Sequence, residues 1–286
     1  MTRRPASRRP PKLPDPEREL GRRADAGTPV PPREQGPREL LKRNRVSGCA
    51  HPRFGRDEVR SRARRVVADD PNYAHGIDVG DIEIDDVYAA LARNWGCTLD
   101  DPRARLDVDR TIVQLDRATA RIADVAGSGG RVIFATCRPA SLLPLHLALA
   151  RDAAARGARI LREREVGAVR AAGRPDRSVW WLEGIAVVTD GASVLAHDDS
   201  ALWPEIDFAT GRAELVVTDG ALAAGALAAG FEVVSFADLD LMVLGVAADR
   251  GRPVTIVPLV GSRPAWCYEP LLTLASQGAH STPPAR

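Results

Sequence analysis

Residues 129–161 read GGRVIFATCRPASLLPLHLALARDAAARGARIL, and this stretch decides the fold. A short buried strand over 131–134 runs into a turn, then a long helix rich in leucine and alanine. Gly157 ends the helix and a second strand begins. That is half of a right-handed β-α-β crossover, with connections of the usual length. Downstream, SVWWLEGIAVVTDG reads as a strand, ELVVTDGALAAGALAAGFEVVSF as strand, helix and strand, and RPVTIVPLV as a final strand. Short Val/Ile runs alternating with Ala-rich helices indicate a mostly parallel sheet buried on both faces. The expected fold is therefore α/β: a three-layer domain over 129–275 with about five strands.

Upstream the pattern changes. RELLKRNRVSG, RDEVRSRARRVVADDP, IDDVYAALARNWG and DVDRTIVQLDRATARIADVAG all carry helical spacing. The third puts Val87, Leu91 and Trp95 on one face, and the fourth does the same for Ile112, Leu115, Ala118 and Ile122. Residues 39–128 thus form a helical N-terminal segment packed on the core. Residues 1–38 hold nine of the 22 prolines and few large apolar side chains, so disorder is expected there and again over 276–286.

Charge and cysteines narrow the classes of function. The tail has nine arginines and one lysine against five acids, a net of +5, which leaves −3 for the remainder of a chain whose total is +2. A mildly acidic folded part argues against a specific nucleic-acid surface. No signal peptide or membrane span is evident, so a cytoplasmic protein is expected. Cys49, Cys97, Cys137 and Cys267 are scattered and form no CxxC pair, which points to reduced thiols rather than zinc or disulfides.

In a parallel sheet the loops leaving the carboxyl ends of the strands form the binding crevice. Three such loops can be read: ATCRPAS, and the two Thr-Asp-Gly turns at Asp190 and Asp219. In the first, Pro139 opens a helix, and the N–H groups of Ser141 and Leu142 would face outward as an anion site. Arg138 beside them could grip a phosphate in a forked manner; the bland alternative is a cap from Thr136 and a solvated arginine. Cys137 does not begin a Cys-x5-Arg loop, since Leu143 stands six positions on. Asp219 precedes a helix, so a capping role competes with a catalytic one. Asp190 leads into a polar loop with His197, Asp198, Asp199 and Ser200, a set that could bind a divalent metal or serve as acid and base. No HxH or HExxH spacing supports the metal. Asp238 and Asp240 leave another strand end close together. His75, Asp78 and Asp81 lie in a loop, Asp85 and Asp86 suit a helix start, and His146 reads as a packed helical residue.

These loops, in this order, resemble a family of actinobacterial proteins that carry only the name phosphatase. The resemblance runs from about Arg43 to Leu274, through RVSGCAHPR, DDPNYAHGIDVGDIEIDDVYAALA, RVIFATCRPASLL, IAVVTDGASVLAHDDS, ELVVTDG, GFEVVSFADLDLMVLGVAADRGRPVTIVPL and YEPLLTLA. Several positions depart from the family pattern. A Gly-His-Pro is usual where this chain has Cys137, Arg138 and Pro139, and a Glu-His-Gly where it has Thr189, Asp190 and Gly191. Of the family's Asp-His-Gly, Asp219 stands but Gly220 takes the histidine's place. Leu241 and Met242 replace a Gly-X-Pro or Asn-Asp pair, and Val260 and Gly261 replace an Asp-Asp.

Together the residues and the resemblance suggest a phosphatase-like hydrolase acting on a small phosphate ester at the carboxyl edge of the sheet. In this reading Thr136, Arg138, Ser141 and Asp238 bind the substrate. Asp190 and Asp219 hold a divalent metal ion or activate water, and His197 donates a proton. The alternatives are a catalytically degenerate module that binds a phosphate compound, and a protein-interaction module. The expected partner is a small phosphorylated molecule, with no specific nucleic acid and no membrane.

Overall fold

The computed structural model describes residues 36–100, 102–162, 170–171, 174–196 and 213–278. Nearly all of the expected tail, 1–35, lies outside them. The described chain opens with helix α1 (Pro37–Arg43), whose proline stands in the first turn, where its missing N–H removes no bond. Strand β1 (Ala50–Gly55), helix α2 (Arg56–Val67), the single turn α3 (Pro71–Ala74) and helix α4 (Ile84–Trp95) follow. Strand β2 (Arg103–Arg105) pairs antiparallel with β1, and α5 (Val108–Gly127) completes the segment. The segment is helical as its periodicity indicates, except for this two-stranded sheet. Strands this short, one of them interrupted by Pro52, carry no readable alternation.

The larger sheet begins with β3 (Arg131–Thr136), followed by α6 (Pro139–Ala155) and the two-residue β4 (Arg159–Ile160). Then come β5 (Arg170–Ala171), β6 (Arg174–Leu182), β7 (Ile185–Thr189) and β8 (Leu215–Asp219). Helix α7 (Gly220–Ala228), β9 (Val233–Ala237), α8 (Met242–Asp249), β10 (Val254–Pro258) and α9 (Glu269–Gly278) close the chain. The strand order is β10-β9-β8-β3-β7-β6-β5, with β4 beside the start of β3. Strands β3, β7, β8, β9 and β10 run parallel, while β6 and β5 add an antiparallel edge. SVWWLEGIAVVTDG therefore supplies two strands rather than one. Glu183 and Gly184 both have positive φ, at 49° and 90°, which folds Leu182 back onto Ile185 in a two-residue hairpin turn.

Alternate residues of the strands face opposite ways, and both faces are covered. Val132 and Phe134 pack with α1, α5, α6 and α9, whereas Ile133 and Ala135 pack with α2, α4, α7 and α8. The domain is thus three layers deep. Trp95 ties the N-terminal segment to it: the indole N–H donates to the Ala237 carbonyl at 3.1 Å, and the ring lies on Gly245, where a Cβ would come within 2.5 Å.

Chain order fixes where a crevice must lie. From β3 the chain goes to β7 on one side, then returns to β8 on the other. Helix α6 leaves β3 toward one face, and α7 leaves β8 toward the opposite face. Loops that part in this way open a gap at the carboxyl ends of the two strands, the topological switch point of an open α/β sheet.

Candidate functional site

Asp219, the last residue of β8, is fully buried at this switch point. Its Oδ1 accepts hydrogen bonds from the backbone N–H and the thiol of Cys137, both at 3.1 Å, and its Oδ2 lies 3.0 Å from His146 Nε2. The carboxylate therefore points across to β3 and α6, and caps no amide of the helix it precedes. Burial alone would push its pKa up. The hydrogen bond and charge of His146, with the charge of Arg138, outweigh that and hold it below the ordinary carboxyl value. Gly220 makes the close approach possible, since it sits at φ 56° and a Cβ there would fall 2.1 Å from Cys137 Sγ. His146 is packed, as its helical position suggests, with its ring edge-on to Phe236 at 5.5 Å, yet it also serves the site. Its Nδ1 has no hydrogen-bond partner among the described residues.

Arg138 runs inward. Its side chain is 1% exposed, and Nη2 donates to Asp240 Oδ2 at 2.8 Å. Burial acts to lower the guanidinium pKa, but the charges of Asp240, Asp238 and Asp219 raise it on balance. Gly261 supplies the room, because a Cβ there would lie 2.1 Å from Arg138 Nη1. Beside it, Asp238 Oδ1 accepts from His51 Nε2 at 2.7 Å and from the Leu239 N–H at 2.8 Å. Its Oδ2 takes the Gly261 N–H at 3.2 Å and Arg53 Nη2 at 3.3 Å. His51 Nδ1 accepts the backbone N–H groups of Arg53 and Phe54, at 3.1 and 3.0 Å, so the ring proton is on Nε2 and is donated to Asp238. Burial would raise the Asp238 pKa; His51 and Arg138 hold it well below the usual range. Three acids, two histidines and two arginines thus meet at the ends of β3, β8 and β9.

The other residues singled out in the sequence fall differently. Ser141 and Leu142 both donate their N–H groups to the Arg138 carbonyl at 2.9 Å, so the outward anion cradle expected at the start of α6 does not form. Thr136 does not cap that helix; its Oγ1 accepts the Arg138 N–H at 3.0 Å and holds the turn. The solvated alternative for Arg138 is likewise overturned by its burial. Asp190 is exposed in its own turn, with Oδ1 accepting from Ala192 and Ser193 at 2.9 and 2.7 Å. Strand β7 stands two places from β8, about 10 Å at ordinary strand spacing, so Asp190 and Asp219 do not converge. His197, Asp198, Asp199 and Ser200 lie outside the described residues. Asp78 accepts the Gly80 N–H, and Asp86 closes a capping box with Glu83, both local roles. For His51 and Arg53 the sequence carries one signal, their place in RVSGCAHPR.

The donor set does not fit a divalent metal. Asp219 and Asp238 are saturated by N–H and S–H donors, and the space between the strand ends holds a guanidinium. Among the described residues no group of three His, Cys, Asp or Glu side chains could hold a metal ion. No helix there is long and apolar enough to cross a membrane.

Fold and site together define an open α/β protein with a buried ionic centre at its topological switch point. The model of the family described as Phosphatase matches residues 33–280, and the chain belongs to that family. It is also similar to Phosphatase SCO2771 of Streptomyces coelicolor, with 32% identity over 242 residues, 77% of this chain and 86% of that protein.

Proposed function

We propose that the protein hydrolyses a small phosphate ester at the carboxyl edge of its sheet. One observation carries the reading: the buried Arg138 is bonded to Asp240 and lies within the electrostatic reach of two further buried carboxylates, Asp238 and Asp219. Buried charges are costly unless each is paired, and hydrophobic packing has no need of them there. The name of the Streptomyces relative supports the same chemistry. Arg53, 43% exposed on its side chain, links this centre to solvent and is the group suited to hold a phosphate. Asp240, 15% exposed and held by Arg138, is the acid nearest solvent. It would accept a proton from the water that attacks phosphorus as the ester oxygen departs. Thr136, Asp219 and His146 then act as positioning residues for the Arg138 turn. Asp190 sits at the rim, and His197 would donate the proton to the departing ester oxygen.

A second reading, a module that binds a phosphate compound without cleaving it, is favoured by the saturation of Asp219, Asp238 and His51. The two separate in a phosphate-release assay over a panel of small esters, with magnesium, with manganese and with chelator. The hydrolase reading expects release that falls at least about a hundredfold in Asp240→Asn. Absence of release from the wild type under every condition, with phosphate still raising the melting temperature, would establish the binding module instead.

A further inference from the structure

Strand β1 leaves its ladder between its two ends. Ala50 stands opposite Arg105 and Gly55 opposite Arg103, so the residues 51–54 face the single residue Ala104. A bulge of this kind bends a strand, re-aims a side chain and takes N–H groups out of the ladder. Here the chain supplies the acceptor itself. His51 Nδ1 takes the N–H groups of Arg53 and Phe54, at 3.1 and 3.0 Å, and Pro52 between them has no N–H to place. The imidazole and the Phe54 ring also pack across the bulge, with centroids 4.5 Å apart.

One side chain thus joins the buried centre to the bulge. Through Nε2 it is fixed to Asp238, and through Nδ1 it fixes the backbone two residues further on. That residue is Arg53, whose Nη2 reaches Asp238 at 3.3 Å and Asp240 at 4.0 Å while 43% of its side chain is exposed. The guanidinium is tethered to the acids and still meets solvent. Residues 51–55 wall a cleft of about 550 Å³ there, room for a small molecule.

We propose that His51 is the positioning residue for Arg53: it staples the bulge so that the guanidinium stands between the ionic centre and a ligand phosphate. The inference rests on the reading of Arg53 as the phosphate grip, and adds the group that sets this grip. It requires no positive charge beyond Arg53 itself. A backbone pinned to a buried acid loses less freedom when the ligand arrives, and that difference appears as affinity.

Calorimetric titration of the full chain with inorganic phosphate tests it, in a cycle of His51→Gln, Arg53→Ala and the double variant. The Gln amide can still donate to Asp238, but its oxygen no longer stands where Nδ1 accepts the two N–H groups. His51→Gln should weaken phosphate about tenfold, as Arg53→Ala does, and the double variant should bind no more weakly than Arg53→Ala. His51→Asn places an oxygen near the position of Nδ1. It should restore most of the affinity although it melts lower, because Asp238 has lost a donor. Hydrogen exchange at the Arg53 and Phe54 amides should rise in the Gln variant and stay slow in the Asn variant. Losses that multiply to about a hundredfold in the double variant would show two independent effects and overturn the staple. So would equal losses in the Gln and Asn variants, wild-type affinity in His51→Gln, or no phosphate binding by the wild type. His51-dependent binding without ester cleavage would remove the hydrolase reading and leave this one standing; cleavage with phosphate affinity indifferent to His51 would do the reverse.

Discussion

Gly261 and Arg138 are complementary in shape: the guanidinium lies where any other residue at 261 would place its first carbon. Gly261→Ala should therefore destabilise the protein by about 2 kcal/mol or more, since a locked and ion-paired side chain has nowhere to move. Adding Arg138→Ala should recover part of that loss, giving a coupling energy of opposite sign in a double-mutant cycle followed by urea unfolding. Simple additivity would show that the two do not share the space. This pair also marks what could be read beforehand. Taken singly, Arg138, Gly220 and Gly261 are departures from the family pattern that look like lost chemical groups. Taken together they are an exchange, in which Gly261 makes room for Arg138 and Gly220 for the Cys137 sulfur. Asp219 was legible as an acid at a strand end, but its partner was not, because Cys137 stands 82 residues away and only the folded sheet joins them.

Among the elements, the parallel strands were legible because unbroken β-branched runs between Ala-rich helices leave little else to build. The β6–β7 hairpin is not legible because its turn is Glu-Gly, outside the Asn-Gly and Asp-Gly pairs that announce such turns. The β1–β2 sheet is too short to show an alternating pattern, and His51 and Arg53 stand on it. Helix α4 packs on α8 and on α2, and α2 in turn lies on the β1–β2 sheet. Trp95→Ala would remove the indole that fills the gap above Gly245 and its bond to Ala237, at a cost of about 3–5 kcal/mol. If α4 is the anchor, the same variant should raise hydrogen exchange over 50–67 before it does so in β3 and β8. Uniform loss of protection across the chain would show that the segment and the sheet open together.

At the scale of the whole molecule the buried acids set the response to pH. Asp219 and Asp238 both have folded pKa values below the ordinary 3.8, so each contributes stability that is fully present above about pH 4. That contribution is lost as the pH falls through the folded values, where the native carboxylates take up protons. Urea midpoints measured between pH 6 and pH 2.5 should fall most steeply below pH 4, and Asp219→Asn should flatten that limb. Parallel curves for variant and wild type would mean that acid unfolding is governed elsewhere.

The pairing that builds the centre also sets a timetable. His51 meets an acid 187 residues further on, and Asn44 bonds the carbonyl of Cys267, 223 residues away. On the ribosome, the first helices emerge long before anything exists for them to close against. Asp238 has no amide from Gly261 until the final strand has left the exit tunnel. The nascent chain therefore holds these arginines and acids in water until Gly261 has emerged, and the buried centre forms only after that.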